Sequence, residues 1–204
     1  MKKQLLALLA IGSVAASAFA ETLTFDFKDP KGVNNATFAL DAPLEAINGS
    51  ANGVSGTVKF DPAHPDKTTG KIIVDAKSLH VPNPMMKEHL HGNQWMDTAK
   101  YGDITFEAKA LKNVKTAGDN TTADAVGAMT IKGVTKEMTV PVKLNYLKDK
   151  LGLRVPNMKG DLLVVRADFN INRADFGINP GAPTDKVSET IELKLSIAGA
   201  APAK

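Results

Sequence analysis

The chain has 204 residues, with 25 basic and 22 acidic side chains, no cysteine and only 5% aromatic residues. The lack of cysteine excludes disulfides and Cys-based zinc, iron–sulfur or thiol chemistry. Basic residues alternate with acidic ones and the few aromatic residues offer no stacking platform, so we expect no nucleic-acid partner.

The first twenty residues have the pattern of a secretory signal peptide. Lys2 and Lys3 precede an apolar run, 5–14, that is too short to span a bilayer. Ala18-Phe19-Ala20 then forms a small-x-small cleavage site. The pattern predicts cleavage after Ala20 and export to a bacterial periplasm. A retained membrane anchor is the less favoured alternative, because the run is short and ends in small residues.

The rest of the chain has the size of one domain. Cleavage leaves 184 residues (204 − 20) and removes two lysines and no acid, so the formal charge falls from +3 to +1. We predict a single domain over 21–198. The Ala- and Pro-rich segment 199–204 is predicted to be a loose tail.

Most of the mature chain alternates apolar and polar residues with a period of two, which is typical of half-buried β-strands. Turn-rich stretches separate these segments, and no long helical pattern could cover a sheet face. We therefore predict an all-β fold of eight or nine antiparallel strands that closes into a barrel or folds into a sandwich. The predicted strands are 23–28, 37–47, 54–60, 71–79, 104–111, 125–131, 138–146, 162–171 and 191–197.

One short helix is predicted within the stretch between the fourth and fifth strands. Asn83 and Pro84 fit the cap and the first helical position, and 85–91 contains no Gly or β-branched residue. Gly92 fits the helix end. The helix leads into the stretch EHLHGNQWMDTAKYGDITFEAK, 88–109, which holds two histidines and the only tryptophan of the chain.

His89, His91 and Asp97 are the candidate metal or acid–base cluster. On a helix, two imidazoles two positions apart point away from each other, whereas zinc pairs need a spacing of three or four. In an extended segment a His-x-His pair could chelate, so an envelope metal-binding or enzymatic protein stays the alternative function. The favoured interpretation is that there is no metal site and that His89 has a capping, hydrogen-bonding or pocket-rim role.

No catalytic residues are predicted. The chain lacks a Gly-x-Ser-x-Gly nucleophile motif, and nothing marks two of its carboxylates as a facing pair. We expect a protein that is not an enzyme.

Three stretches in this chain together resemble the YceI-like proteins, which are also described as lipid- or polyisoprenoid-binding. They are His-Leu, Trp-Met-Asp, Tyr-Gly and Ile-Thr-Phe within 89–106, Gly127 with MTIKGVTK over 129–136, and RADFG over 173–177. The chain departs from the family pattern in having no histidine in 25–38, Met86-Lys87-Glu88 in place of Arg-Asp, and Gly102 in place of Pro. It resembles a divergent member.

The resemblance implies an extended, lipocalin-like antiparallel β-barrel of about eight strands around a long isoprenoid, such as a quinone tail or a polyprenyl chain. Such a chain would be a ligand carried through water for transport, storage or presentation, and no cofactor is expected. Transient contact with a membrane surface or an inner-membrane cytochrome is expected during loading or delivery. A barrel of about eight strands has room for side chains or one slender ligand.

The site residues follow from this barrel. Small inward residues, with Ala110, Gly127 and Ala167 among them, are expected to alternate with larger ones and to leave an apolar channel. The residues predicted to line it are Val58, Phe60, Phe106, Ala108, Met129, Ile131, Phe169 and Phe176. The residues predicted to contact a polar head group at the rim are His89, Trp95 and Arg173. The alternatives are that Trp95 plugs one barrel end and that Arg173 pairs with Asp175 or Asp97.

Overall fold

The computed structural model describes residues 22–203, so the predicted signal peptide and its cleavage site lie outside the described residues. Within 22–203 there are ten β-strands, two short α-helices and three 3₁₀ turns. The strands are β1 (Leu23–Asp26), β2 (Asn35–Asp41), β3 (Ala46–Ala51), β4 (Val54–Phe60), β5 (Thr69–Asp75), β6 (Asp103–Ala117), β7 (Asn120–Ile131), β8 (Val134–Leu147), β9 (Gly160–Asn172) and β10 (Thr190–Pro202). The helices are α1 (Pro84–His91) and α2 (Leu151–Arg154), and the 3₁₀ turns are Pro65–Lys67, Ala76–Ser78 and Arg173–Phe176.

Eight of the strands described in 22–203 form a closed antiparallel barrel in the order β1-β4-β5-β6-β7-β8-β9-β10, and β10 returns to β1. The ladder that closes the ring is short, with Asp26 opposite Ala200. The first half of β10 pairs instead with β2, so the β2–β3 hairpin continues the wall beside β1. The prediction of an all-β antiparallel barrel of about eight strands is confirmed. No helix within 22–203 has the length and apolar character needed to cross a bilayer.

Burial along the strands follows the alternation in the sequence. In β7 the buried residues recur at every second position from Thr121 to Ile131. The turn into β8 consists of Lys132 and Gly133, both with positive φ, 50° and 75°. Such a pair matches the right-handed twist of the strands it joins. A Cβ on Gly133 would also lie only 2.5 Å from the Tyr101 ring, so the turn requires glycine there.

A β-bulge in β6 changes which residues face inward. Ala108 pairs with Gly127, but the next pairs are Ala110 with Val126 and Leu111 with Ala125. The extra residue reverses the alternation, so Leu111 faces inward and Ala110 faces outward. The expectation that Ala110 lines the interior is therefore wrong, because period-two counting does not detect an inserted residue.

Two other segments differ from the sequence-based prediction. The single strand predicted over 37–47 is the β2–β3 hairpin, whose turn has the backbone N–H of Ala42 donating to Glu45 O at 3.0 Å. The segment predicted as a loose tail is the end of β10, paired with β9 as far as Pro202. Its small residues permit this pairing, since a Cβ on Gly199 would lie 2.7 Å from the Phe27 ring.

Aromatic side chains fill one end of the barrel. The ring centroids of Phe25 and Phe60 are 6.4 Å apart, and Tyr146 lies 6.3 Å from Phe25 and 5.8 Å from Phe60. The Tyr146 hydroxyl donates to Asp161 at 2.7 Å, and burial together with this carboxylate raises the pKa of Tyr146. Leu151, the first residue of α2, is fully buried. We call this end the closed end.

Asn34 completes the barrel where the β1–β10 ladder is short. Its Nδ2 donates to Phe27 O at 2.9 Å and to Ala198 O at 3.1 Å, while its Oδ1 accepts from Ala198 N at 2.9 Å. Arg154 Nη2 also donates to this oxygen at 3.0 Å. The side-chain amide therefore takes the place of a backbone peptide between the end of β1 and β10.

Asp29 holds the loop that carries Asn34. Its Oδ2 accepts from the backbone N–H groups of Val33 and Asn34, both at 2.7 Å, and from Arg154 Nη2 at 3.0 Å. Burial raises the pKa of Asp29, but the bonds from three backbone N–H groups and the Arg154 guanidinium outweigh it and lower the pKa below its ordinary value of 3.8. The ionised carboxylate is thus the form that stabilises the loop.

We predict that Asp29→Asn lowers the free energy of unfolding at pH 7 by about 1–3 kcal/mol, because the amide cannot accept the same set of bonds. Since the pKa of Asp29 is lower in the folded state, its contribution is present above about pH 4 and is lost as the pH falls through the folded-state value. Urea unfolding at pH 7 and pH 2.5 measures this. The exposed Asp168→Asn is the control, and a difference for Asp29→Asn that persists undiminished at the lower pH would contradict the assignment.

Candidate functional site

The barrel encloses an apolar cavity of about 390 Å³. Protein interiors contain few voids larger than a water molecule, and small-molecule sites measure about 300–1,000 Å³. The cavity is lined by residues of β2 to β10 and α1, most of them aliphatic or aromatic. A space of this size and chemistry in an otherwise packed domain is a candidate site for an apolar ligand.

Small side chains on the inner face create the cavity. Ala108, Ala125 and Ala167 line it from β6, β7 and β9, where larger residues would fill the barrel. Ala108 and Ala167 are each flanked two residues away by a larger lining side chain, Phe106 and Phe169. An eight-stranded barrel has just enough interior for its side chains, so alanines at this level leave space.

Six of the eight predicted lining residues lie on the cavity: Val58, Phe106, Ala108, Met129, Ile131 and Phe169. Phe60 does not, because it packs with Phe25 and Tyr146 at the closed end. Phe176 is also outside the lining and is buried in the core on the 3₁₀ turn after β9.

Other lining residues were not among the predicted site residues. β8 and β10 contribute inward aliphatic residues to the lining. These residues belong to segments that alternate apolar and polar residues, so the sequence pattern could have identified them. The β6 bulge puts Leu111 on the inner face, which the alternation does not predict. The sequence predicted the helix α1, but no pattern in it indicated that Met86 and Leu90 would line a cavity. The unpredicted residues include Met86, Leu90, Leu111, Val142, Leu144, Val165, Ile191 and Leu195.

Two of the four exposed residues of the lining, Met86 and His89, lie on α1, so the cavity reaches solvent beside this helix. The helix begins at Pro84, where Asn83 Oδ1 accepts from Met86 N at 3.1 Å, and it places Met86, His89 and Leu90 in the lining. Two of the residues predicted at the rim are in the lining: His89 is exposed and Trp95 is half-buried. We call this opening the mouth.

The turn after α1 is fastened to two other loops. Lys132 Nζ donates to Gln94 O at 2.9 Å and to Gly177 O at 2.8 Å, and the backbone N–H of Asn179 donates to Gln94 O at 2.9 Å. These bonds join the α1 segment to the β7–β8 turn and to the turn after β9. The wall of the mouth is therefore a fixed structure rather than a free loop.

His91 has a structural role. Its Nε2 lies 3.0 Å from Leu79 O and its Nδ1 lies 3.1 Å from Thr98 Oγ1. A carbonyl oxygen only accepts, so Nε2 carries the proton toward Leu79 and Nδ1 can accept from the Thr98 hydroxyl. Both nitrogens are engaged, which argues against the metal alternative for this histidine. Within residues 22–203 there is also no group of three or more His, Cys, Asp or Glu arranged to hold a metal ion.

Arg173 does not lie at the rim. Its side chain is 1% exposed, and its Nε donates to Ser188 O at 3.0 Å. Its two terminal nitrogens donate to backbone carbonyls, with Nη2 at 2.9 Å from Ala182 O. The remaining acceptors are the carbonyls of Ile178, Asn179 and Val187. It pairs with neither Asp175 nor Asp97, and Asp175 instead contacts Lys136 at 3.3 Å.

The carbonyls around Arg173 come from the loop 178–188, so the guanidinium fixes that loop from inside. Ile178 and Val187 of this loop line the cavity. A guanidinium is weakly hydrated and presents five N–H donors in a planar fork, which suits a buried site with several carbonyl acceptors. Arg173 therefore builds one wall of the site without touching its interior.

We predict that Arg173→Lys lowers the free energy of unfolding by about 2–4 kcal/mol, because an ammonium has too few donors for the buried carbonyls. Chemical denaturation measures the loss, and limited proteolysis should detect new cleavage within 178–188. Arg166→Lys is the matched control, since Arg166 lies on β9, the strand that precedes the turn of Arg173, is exposed, and donates to the carbonyls of Val165 and Ile197. Equal effects of the two substitutions would contradict the role of Arg173.

A closed eight-stranded antiparallel barrel around an apolar cavity defines a lipocalin-like protein. Sequence comparison gives the family: residues 29–199 match the YceI-like domain, and the chain belongs to that family. A UPF0312 protein from Pseudomonas fluorescens is 32% identical over 205 residues, covering 98% of each chain. A UPF0312 protein from Pseudomonas aeruginosa is 28% identical over 203 residues, again covering 98% of each.

Solved structures have the same fold. BcnA from Burkholderia cenocepacia superposes with a TM-score of 0.65 at 21% identity, covering 81% of this chain and 95% of that chain. A polyisoprenoid-binding domain from Saccharophagus degradans, implicated in plant cell wall breakdown, gives 0.62 at 12% identity, with 89% of this chain and all of that chain covered. At these identities the likeness concerns the fold.

Proposed function

We propose that the protein is a periplasmic carrier that holds a long isoprenoid, a quinone tail or a polyprenyl chain, for transport, storage or presentation. The observation that carries the proposal is the apolar cavity of about 390 Å³ that opens beside α1. Membership of the YceI-like family and a fold shared with a polyisoprenoid-binding domain support it. The signal-peptide pattern of residues 1–20 supports the compartment.

Burial of the isoprenoid ligand in the cavity accounts for the affinity of binding. Each methylene removed from water contributes about 0.8 kcal/mol, and binding must offset the lost freedom of the ligand. Because the cavity already exists, binding requires little free energy for reorganising the protein. Holding the ligand requires no catalytic group, and the proposed activity is binding rather than catalysis.

The surface beside the mouth suits loading from an apolar environment. Leu44 and Met85 are 66% and 67% exposed, and each is adjacent in sequence to a lining residue, Glu45 or Met86. Exposed apolar side chains next to a binding cavity are typical of an interaction surface. We propose that the mouth contacts a membrane surface, or an inner-membrane cytochrome, during ligand exchange.

Substituting Ala108 tests the cavity. Ala108→Phe places a ring in the middle of the lining, and we expect at least a tenfold loss of affinity for a short polyprenol. Isothermal titration of detergent-free protein measures this. Native mass spectrometry of protein purified from a bacterial periplasm should show an apolar mass on the wild type and little on the variant.

Ala128→Phe is the matched control. Ala128 lies on β7 between two lining positions but on the outer face, opposite Glu107 and Glu137. It should leave uptake unchanged. An empty wild-type protein that takes up neither quinone nor polyprenol would rule out the carrier, and equal uptake by Ala108→Phe would rule out this cavity as the site.

His89 is the candidate contact for a polar head group at the mouth. We expect His89→Ala to weaken binding of a polyprenol about three- to tenfold and to leave binding of the corresponding hydrocarbon unchanged, because only the alcohol can hydrogen-bond to the imidazole. Competition titration with both ligands measures the difference. His64→Ala, outside the lining, is the control, and equal losses for alcohol and hydrocarbon would contradict a head-group contact.

A further inference from the structure

We propose that the closed end of the barrel docks onto an anionic lipid membrane. The docking surface consists of the segment 148–159, which joins β8 to β9 and contains α2, and of the loop 28–33 that lies against it. None of these residues lines the cavity, so the proposal goes beyond the proposed function and is independent of it. It rests on exposed apolar side chains, a local excess of positive charge and a rigid support.

Three large apolar side chains of the docking surface are exposed to water. Leu153 is 82% exposed, Val33 57% and Met158 40%. Leu153 is the most exposed large apolar side chain within 22–203, and in this position it contributes little burial to the fold. The other exposed ones in this part of the chain lie beside the mouth and are Leu44, Met85 and Met86. Exposed apolar side chains that are grouped in this way mark interaction surfaces.

Hydrogen bonds bring the loop 28–33 against α2. Lys31 Nζ donates to Arg154 O at 2.9 Å, and Arg154 Nη2 donates to Asn34 Oδ1 at 3.0 Å. Val33 is adjacent to Asn34, and Leu153 is adjacent to Arg154. The two most exposed apolar side chains of the closed end therefore lie on neighbouring loops and belong to one surface.

The segment 148–159 is a fixed support for its exposed side chains. Leu151 is fully buried, and its carbonyl accepts from the backbone N–H of Val155 at 2.9 Å. The N–H of Met158 donates to Val155 O at 3.2 Å, and the carbonyl of Lys159 accepts from Ala203 N at 2.9 Å. Because the segment is already held at several points, docking orders little additional backbone.

The docking surface has an excess of positive charge. The segment 148–159 has four basic residues and one acid, a net charge of +3, and the loop 28–33 has two basic residues and one acid, a net charge of +1. The chain that follows the predicted cleavage site has a net charge of +1, so the rest of it carries −3. The basic residues are Lys28, Lys31, Lys148, Lys150, Arg154 and Lys159.

The five lysines of the docking surface are free to interact with charges outside the protein. All five are exposed, and none of them forms an ion pair with a residue of 22–203. Arg154 differs, since it is paired with Asp29 at 3.0 Å. Asp161, an acid at the same end, is engaged within the protein, because it accepts from the Tyr146 hydroxyl and from the backbone N–H of Asp149, both at 2.7 Å.

An anionic membrane matches both the charge and the apolar side chains. Each lysine near an anionic lipid surface strengthens binding about fivefold. Lysine side chains keep their ammonium groups among the head groups while apolar side chains enter the interface. The projecting Leu153 enters a soft lipid interface without a complementary pocket, which a protein partner would have to supply. The membrane is therefore the partner that this surface fits.

Docking by the closed end sets the direction of the barrel. β8 runs from the Lys132–Gly133 turn, which is bonded to the wall of the mouth, to Leu147 beside the segment 148–159. The mouth and the docking surface thus lie at opposite ends of the barrel. A docked molecule directs its mouth away from the membrane that holds it, so ligand exchange takes place with a different partner or in a different orientation.

Vesicle flotation tests the proposal. Protein purified from a bacterial periplasm is mixed with vesicles of phosphatidylglycerol and phosphatidylethanolamine, or with vesicles of phosphatidylcholine alone. We expect binding to the anionic vesicles and about tenfold weaker binding, or less, to the neutral ones. Raising the salt concentration from about 0.1 M to about 1 M shortens the screening length from about 10 Å to about 3 Å and should also weaken the binding.

Two variants separate the contributions of charge and apolar contact. Lys150→Gln combined with Lys159→Gln should weaken binding to the anionic vesicles about twenty-five-fold, which is about fivefold per lysine. Leu153→Ser should weaken it about tenfold and leave its salt dependence unchanged. The control is Lys77→Gln, an exposed lysine on the 3₁₀ turn after β5, which should leave binding unchanged. Circular dichroism checks that each variant is folded.

A second readout is possible because the chain contains no cysteine. A single cysteine is introduced by Leu153→Cys or by Thr139→Cys and is labelled with an environment-sensitive dye. Thr139 is exposed in the middle of β8 and serves as the control. On anionic vesicles the emission of the label at position 153 should shift to the blue, and that of the label at position 139 should not.

The outcomes decide between lipid and other partners. Failure to bind anionic vesicles, equal binding to neutral vesicles, or a label at position 153 that does not shift overturns the membrane docking. Self-association that Leu153→Ser abolishes, without vesicle binding, overturns it in favour of a second copy of the chain. Vesicle binding that both variants weaken, with uptake of polyprenol unchanged, supports the docking separately from the carrier function.

Discussion

The hydrogen bonding of Asn34 is the constraint on which the barrel depends. A barrel with a hollow interior cannot be held shut by packing across its centre, so its wall must close through backbone hydrogen bonds. The pairing of β1 with β10 is short, and the buried side-chain amide of Asn34 extends it by acting as a peptide group between Phe27 and Ala198. Arg154 donates to the oxygen of that amide, and Asp29 accepts from the backbone N–H of Asn34, so the two residues connect closure of the wall to the loop that carries Asn34.

The barrel divides stability and binding between its two ends. At the closed end Phe25, Phe60 and Tyr146 interlock, and their packing provides the compact core that a hollow barrel otherwise lacks. Toward the mouth the interior is apolar but unfilled, and the wall is held from outside the cavity by Lys132 and Arg173, both bonded to backbone carbonyls. Polar groups near the mouth thus shape the site while its interior stays apolar.

Much of the fold could be predicted from the sequence, because period-two alternation is a direct consequence of one buried and one solvated face. The departures have local causes: the bulge beside Ala108 reverses the face of Leu111, and the small residues of β10 resemble a tail although they pack on Phe27. The site was predicted less well. Arg173, a polar residue of the stretch RADFG that carries part of the family resemblance, was expected to contact a head group at the rim. Residue type alone does not distinguish ligand contact from contact with backbone carbonyls.

The stretches that carry the family resemblance meet in space. Lys132 of the second stretch bonds to the backbone at Gln94, next to Trp95 of the first, and to Gly177 of the third. The three stretches together form the wall of the mouth. Trp95 lies on the cavity wall at this junction and is the only tryptophan in the chain. The indole emission of the protein therefore comes from a single place, the cavity wall, and a ligand that enters the cavity changes the surroundings of that one fluorophore.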